Sequence, residues 1–419
     1  MRVLLVTGST ATRPIGLVAV RRHLLQTLST SVILFGAEDR SMHPSHRSIN
    51  RRQFAATIAA GSLVLAGRRS SAQTTPDAMA GVYQRSIVID ALANPGSMNV
   101  SWPPRGPLSA TQREAIAASG ITAINVTVSA ETFEATTRTI ALWQGEADRY
   151  PTLLSVVRRH TDIVRAKKDG TLGLMLGFQN TDMIERDLTR LDVFHRLGVR
   201  IIQLTYNDRN LVGDGCLEPG NAGLSAFGRQ VVERMNALGI AVDLSHCGTQ
   251  TTADGIAAST RPPLITHSGC REVYRHPRSK EDRELKAMAD KGGVVGIYFM
   301  PFIGQGTGAP TVDMLMRQID HALKVCGTDH VGIGSDLSTA PINETPDYLR
   351  EAKAFVGVRA ARGISAPDES RPLFIPELNH SRRIEGVARG LQQRGHPAAT
   401  IEKIIGGNFH RAFKDIWTL

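Results

Sequence analysis

The chain has 419 residues, of which 42% are hydrophobic, enough for one large or two ordinary folded domains. Its net charge of +10 belongs mainly to residues 1–72, which hold ten arginines against two acidic residues; the remainder carries only +2. With this nearly neutral remainder and 5% aromatic residues, the composition argues against a nucleic-acid partner.

An export signal is predicted at residues 42–72. Arg51 and Arg52 precede the apolar stretch Ala55–Ala66 and the small residues Ser70–Ala72. This order is typical of a bacterial twin-arginine (Tat) signal peptide. The apolar stretch is too short to span a bilayer as a helix, and we expect no stable membrane span after the signal is removed. We expect a periplasmic or secreted protein, with an uncleaved anchor as the alternative, and residues 1–41 as a disordered upstream extension.

Residues 73–419 are predicted to form one domain in which strands and helices alternate. Eight apolar runs rich in Val and Ile have the pattern of strands buried on both faces: 86–92, 121–128, 172–179, 199–206, 241–246, 263–267, 292–299 and 330–336. Eight such units over about 340 residues predict a (β/α)8 TIM barrel of the α/β class, of the type found in metal-dependent hydrolases. A doubly wound open sheet is the alternative.

Two connections are long: Asn207–Gly223 after the fourth strand and Leu337–Asn379 after the eighth. On a barrel both emerge at the carboxyl ends of the strands, where the active sites of this fold lie. We therefore expect both loops to wall or cover a pocket.

Polar residues stand where the predicted strands end. His246 and His267 end two strands joined by one helical segment, so a βαβ unit would bring them to neighbouring strand ends. Asp336 ends the eighth strand. Two imidazoles and a carboxylate suit a metal that activates water, with the carboxylate moving the proton. The other polar residues at the strand ends are Asn94, Gln179 and Tyr206.

Four motifs, in chain order, resemble the membrane (renal-type) dipeptidase family: GIAVDLSH at 239–246, PLITHS at 263–268, DHVGIGSD at 329–336 and GGNFHRAF at 406–413. The resemblance covers roughly residue 86 to the C-terminus. It implies a zinc dipeptidase on an amidohydrolase-like barrel. It also implies a possible homodimer, since members of this family often form homodimers.

The resemblance assigns roles to individual residues. His246 and His267 match histidine ligands of one zinc, and Asp336 matches the catalytic acid/base aspartate. Arg278 matches the arginine that holds the substrate carboxylate, a task suited to a planar guanidinium.

The chain departs from the family at the other zinc. Leu92 and Asn94 replace a His-x-Asp pair, Gln179 replaces a bridging glutamate, and Tyr206 replaces a substrate-contacting histidine. Neutral amides are poor ligands for a divalent ion. We therefore expect one Zn²⁺, held by His246, His267 and Asp336, or none at all.

The leading hypothesis is a metal-dependent hydrolase that cleaves the amide of a dipeptide or acyl-amino acid, with Arg278, Tyr206, Asn94 and Gln179 as substrate-binding residues. One alternative is a barrel that binds such molecules without cleaving them. Another is a mononuclear amidase or lactonase of changed specificity.

Overall fold

The structure, a computed structural model, describes residues 76–98 and 107–417. The predicted extension at 1–41 and the predicted export signal at 42–72 lie outside these ranges. No helix within them is both long and apolar enough to cross a membrane.

Strands and helices alternate through most of the described chain. The strands are β1 Ile89–Asp90, β2 Ala93–Asn94, β3 Ala123–Thr127, β4 Leu154–Val156, β5 Leu172–Phe178, β6 Val199–Gln203, β7 Ala241–Asp243, β8 Leu264–Ser268, β9 Val294–Ile297, β10 Val331–Ile333 and β11 Leu337–Ser338. The helices are α1 Pro76–Arg85, α2 Ala110–Ser119, α3 Phe133–Arg149, α4 His160–Asp169, α5 Thr189–Arg196, α6 Ala226–Leu238, α7 Thr249–Ala258, α8 Asp282–Asp290, α9 Val312–Cys326, α10 Pro346–Ala361, α11 Arg383–Gln393, α12 Ala398–Glu402 and α13 Asn408–Ile416.

The principal sheet is parallel and nearly closed. Its strand order is β1-β3-β5-β6-β7-β8-β9-β10. The first and last strands meet where the amide of Ala91 donates to the carbonyl of Ile333 at 2.8 Å, and β2 pairs with β11 just beyond. The prediction of a TIM barrel is confirmed, because an open sheet would leave β1 and β10 apart.

The barrel has two buried hydrophobic clusters. The larger lies between the strands and the surrounding helices. The smaller contains residues from the beginnings of several strands, among them Ala123, Ala241 and Leu264, together with Phe409 and Phe413 of α13. Helix α13 therefore fills the end of the barrel where the strands begin.

The structure adds elements to the predicted set. Strand β4 was not predicted because Leu154–Val156 is only three residues long and lies between two helical patterns; it pairs with the first half of β5. Helix α10 lies in the long connection after β10, and Arg359 is its only buried side chain. The sequence of α10 therefore has no apolar face that would predict a helix.

Candidate metal and substrate site

The two predicted histidines meet at the carboxyl ends of their strands. His246 follows β7 and His267 lies within β8, and their Nε2 atoms are 2.9 Å apart. Both imidazoles are buried, with relative exposures of 4% and 0%.

The other ring nitrogen of each histidine faces an oxygen that accepts a hydrogen bond. Nδ1 of His246 lies 2.6 Å from Oδ1 of Asn207, whose amide nitrogen donates to the carbonyl of Ile364. Nδ1 of His267 lies 2.9 Å from Oγ1 of Thr266, whose hydroxyl donates to Asp243 at 2.6 Å. Both Nδ1 atoms therefore carry the proton, and both Nε2 atoms present a lone pair to the same point.

This donor set fits a divalent cation of the zinc type. Two lone pairs at this distance repel unless a proton or a cation lies near both. Burial, followed by the positive charge of Arg278, lowers the pKa of each imidazole well below 6.5, so both stay neutral at pH 7. Neutral imidazole is the form that ligates zinc, and a hydrogen bond at the other nitrogen is the usual support for such a ligand.

A small cavity opens beside His246. This inner cavity has a volume of about 50 Å³ and is lined by Met98, Gln179, Tyr206, His246, Arg278, Met300, Phe302, Asp336, Phe355, Val356, Arg359, Glu369 and Leu373. It brings together five of the predicted site residues. His267 contacts His246 without lining the cavity, and Asn94 does not line it either.

Asp336 enters the inner cavity from the end of β10. Its φ of 62° lies in the left-handed region, which few residues other than glycine adopt, and its amide donates to the carbonyl of Leu92 at 2.8 Å. Burial raises the pKa of the carboxyl to about 7, although Arg278 and Arg359 oppose the shift. A carboxyl of this pKa can both accept and donate a proton near neutral pH.

Arg278 supports the backbone around both histidines. Its guanidinium donates to the carbonyl of Ser245 at 2.6 Å and to the carbonyl of His267 at 3.4 Å, and its exposure is 2%. The same side chain lines the inner cavity. The structure thus gives Arg278 a bracing contact that the sequence did not indicate, in addition to a position from which it can meet a substrate.

The residues at the expected second zinc site offer weak ligands. Gln179 lines the inner cavity, and its amide nitrogen donates to Oγ1 of Thr127 at 2.8 Å. Asn94 is buried, and its amide nitrogen has no hydrogen-bond partner within the described ranges. Leu92 is buried, and its hydrocarbon side chain cannot ligate. These side chains do not fit a second divalent ion.

Sequence reasoning missed an ion pair above the histidines. Arg359 of α10 donates to both carboxylate oxygens of Glu369, at 2.9 and 2.7 Å, and to the hydroxyl of Tyr206 at 2.9 Å. The Tyr206 ring stacks on His246 with 4.3 Å between centroids. No short-range signal links residues so distant in sequence.

A separate group of metal-binding atoms lies outside the inner cavity. Glu272, Asp282 and His321 place ligand atoms within 4.8 Å of one another. His321 is already 2.7 Å from Asp282, and Glu272 is exposed. An ordinary surface ion pair accounts for this arrangement.

Comparisons with known proteins agree with this fold. Dipeptidase verJ of Clonostachys rogersoniana is 27% identical over 292 residues, 68% of this chain and 72% of that protein. A crystal structure of an amidohydrolase from Pseudomonas aeruginosa has a TM-score of 0.72 and 32% identity, covering 81% of this chain and 99% of that one.

A probable dipeptidase, PvdM, also from Pseudomonas aeruginosa, has a TM-score of 0.65 at 18% identity, over 82% of this chain and 98% of that one; this likeness concerns the fold alone. The sequence model of the membrane dipeptidase family (peptidase family M19) matches residues 113–355. The chain therefore belongs to the membrane dipeptidase family.

Proposed function

We propose that the protein is a metal-dependent hydrolase that cleaves the amide bond of a dipeptide or acyl-amino acid with a free carboxylate. The observation that carries the proposal is the pair of neutral imidazoles, His246 and His267, whose Nε2 lone pairs converge. His246 also lines one cavity together with Asp336 and Arg278. Membership of a dipeptidase family supports the substrate class.

Each residue has a distinct task. His246 and His267 would hold one zinc-type ion, with Asp336 as a further oxygen ligand, and the bound ion would supply Lewis acidity and a more acidic water. Asp336 takes a proton from water and returns it to the leaving amine. Arg278 binds the substrate carboxylate, and Tyr206 covers the face of His246.

Metal analysis tests this proposal. Elemental analysis of protein expressed with residues 42–72 intact should give about one zinc-type ion per chain. His246→Ala and His267→Ala should each lose the metal together with the amidase activity, because one imidazole cannot hold the ion at this site. His321→Ala is the matched control, since His321 lies in the surface ion pair and should leave metal content unchanged.

Other results would favour the alternatives. A metal-free, inactive protein that still binds dipeptides would show a non-catalytic binding barrel. A metal-loaded protein that hydrolyses lactones and leaves dipeptides and acyl-amino acids intact would show a changed reaction.

We also propose export to the periplasm through the Tat pathway, on the strength of Arg51 and Arg52 before the short apolar stretch. Cell fractionation should find the protein in the periplasm, and replacing both arginines by lysine should retain it in the cytoplasm. Cytoplasmic accumulation of the unchanged protein would contradict this proposal. Its control is an Arg68→Lys variant, which lies beyond the apolar stretch and should still be exported.

A further inference from the structure

A second and much larger cavity adjoins the inner one. This outer cavity has a volume of about 790 Å³, within the range of small-molecule binding sites. Its walls come from α3, from the loops after β3, β5 and β6, and from the segment after α10. It therefore opens on the same end of the barrel as His246 and Asp336.

The two cavities share walls at three places in the chain. Tyr206 lines both of them. Gln179 lines the inner cavity, while its neighbour Asn180 lines the outer one. At the end of α10, Arg359 lines the inner cavity and Arg362 lines the outer one. The two cavities therefore adjoin each other at Tyr206.

The inner cavity is too small for a whole substrate. Its volume of about 50 Å³ has room for a few water molecules, whereas even a small amide with a carboxylate occupies more. Because Arg278 and Asp336 line this cavity, the carboxylate-bearing side of the amide has to lie there. The acyl side then needs room outside the inner cavity, and the outer cavity adjoins it at Tyr206.

The outer cavity offers contacts for a bulky group. Ala135, Leu142, Met183 and Ile364 contribute apolar surface to its wall. Two of its charged side chains neutralise each other, because Arg362 lies 2.9 Å from Glu131. Burial of a large apolar group against this wall would add binding free energy in proportion to its area.

We propose that the outer cavity is the acyl-side subsite, and that the preferred substrate is an amide with a small carboxylate-bearing amine portion and a large, partly apolar acyl portion. The inference rests on the proposed function, because it takes the carboxylate and the scissile amide to lie at Arg278 and Asp336. It makes a dipeptide of two small residues a poor substrate.

The test compares N-(3-phenylpropanoyl)-L-alanine with N-acetyl-L-alanine, two amides that differ only in the size of the acyl group. In the unchanged protein kcat/KM should be at least about tenfold higher for the larger substrate. Ala135→Trp and Leu142→Trp, which each place a larger side chain on the wall of the outer cavity, should lower that ratio about tenfold. Ala141→Trp is the matched control: it lies on the exposed face of α3 and should keep the ratio.

Equal kcat/KM for both amides, or equal effects of the three tryptophan variants, would overturn the inference. Thermal unfolding verifies that each variant is folded. Binding of dansyl-L-alanine, followed by its fluorescence, separates this inference from the proposed function because it needs no turnover. If neither these amides nor dipeptides are cleaved, the proposed function fails. The subsite is then still supported by about tenfold weaker binding to Ala135→Trp, and it is overturned by unchanged binding.

Discussion

At the residue scale, Asp336 combines an uncommon backbone conformation with a shifted acidity. Its φ of 62° turns the chain at the end of β10 and directs the residue into the inner cavity. Left-handed conformations of residues other than glycine cluster at functional sites, where surrounding contacts offset the backbone strain. Since Asn tolerates this conformation nearly as well as Asp, an amide replacement isolates the carboxylate from the backbone.

Asp336→Asn should lower kcat by about 10²–10⁴-fold, because the amide cannot accept the proton of the attacking water. Steady-state kinetics on the preferred amide measure this effect, alongside metal content. Asp329→Asn is the control; Asp329 precedes the same strand at the opposite end of the barrel, where it pairs with Lys403. A variant with unchanged kcat would remove Asp336 from the chemistry.

Two polar residues support the histidines, and only one of them could be predicted from the sequence. Asp243 is an acidic residue inside the apolar strand β7, and a buried carboxylate requires several donors; here Ser245 and Thr266 supply them. That signal was available. Asn207, which fixes His246, follows Tyr206 in a polar loop and could not be distinguished from other loop residues.

At the element scale, the eight long apolar runs and the histidines at their ends were predictable, because burial on both faces leaves a continuous pattern. Strand β4 and helix α10 were not. Strand β4 is too short for a pattern, and α10 is attached to the barrel through a charged side chain, Arg359. Arg359 contacts Tyr206 and Glu369, and no local sequence pattern indicates that these side chains meet.

The docking of α10 should depend on pH through Glu369. Burial alone raises the pKa of this carboxyl, but the hydrogen bonds and charge of Arg359 outweigh it and bring the pKa below 4.5. A pKa that is lower in the folded state than in the unfolded chain stabilises the fold above the unfolded value. This stabilisation is lost as the pH falls through the folded pKa.

Glu369→Gln should therefore reduce the free energy of unfolding by about 3 kcal/mol at pH 7, since it leaves the buried Arg359 without its counter-charge. The difference between the two proteins should shrink as the pH falls below 4.5. Urea unfolding at pH 7, 5 and 4 measures it, with Glu344→Gln, an exposed change just before α10, as the control. A difference that is constant with pH would show that charge is not its cause.

At the scale of the whole molecule, the barrel separates stability from chemistry along its axis. One end of the barrel, where the strands begin, is filled by apolar side chains and by α13. The cavities and the histidines lie at the other end, where the strands end. This division is general for TIM barrels. It predicts that substitutions in α13 change stability without changing the site.

Phe413→Ala tests this separation. The Phe413 ring is fully buried, stacks on Trp417 with 4.4 Å between centroids and packs against Phe409, so its removal should lower the free energy of unfolding by about 3–5 kcal/mol. Metal content and kcat/KM of the folded protein should stay unchanged, because α13 lies at the far end from His246. Lys414→Ala, exposed on the same helix, should alter neither quantity. A variant that stays folded but loses its metal would show that the two ends of the barrel are coupled.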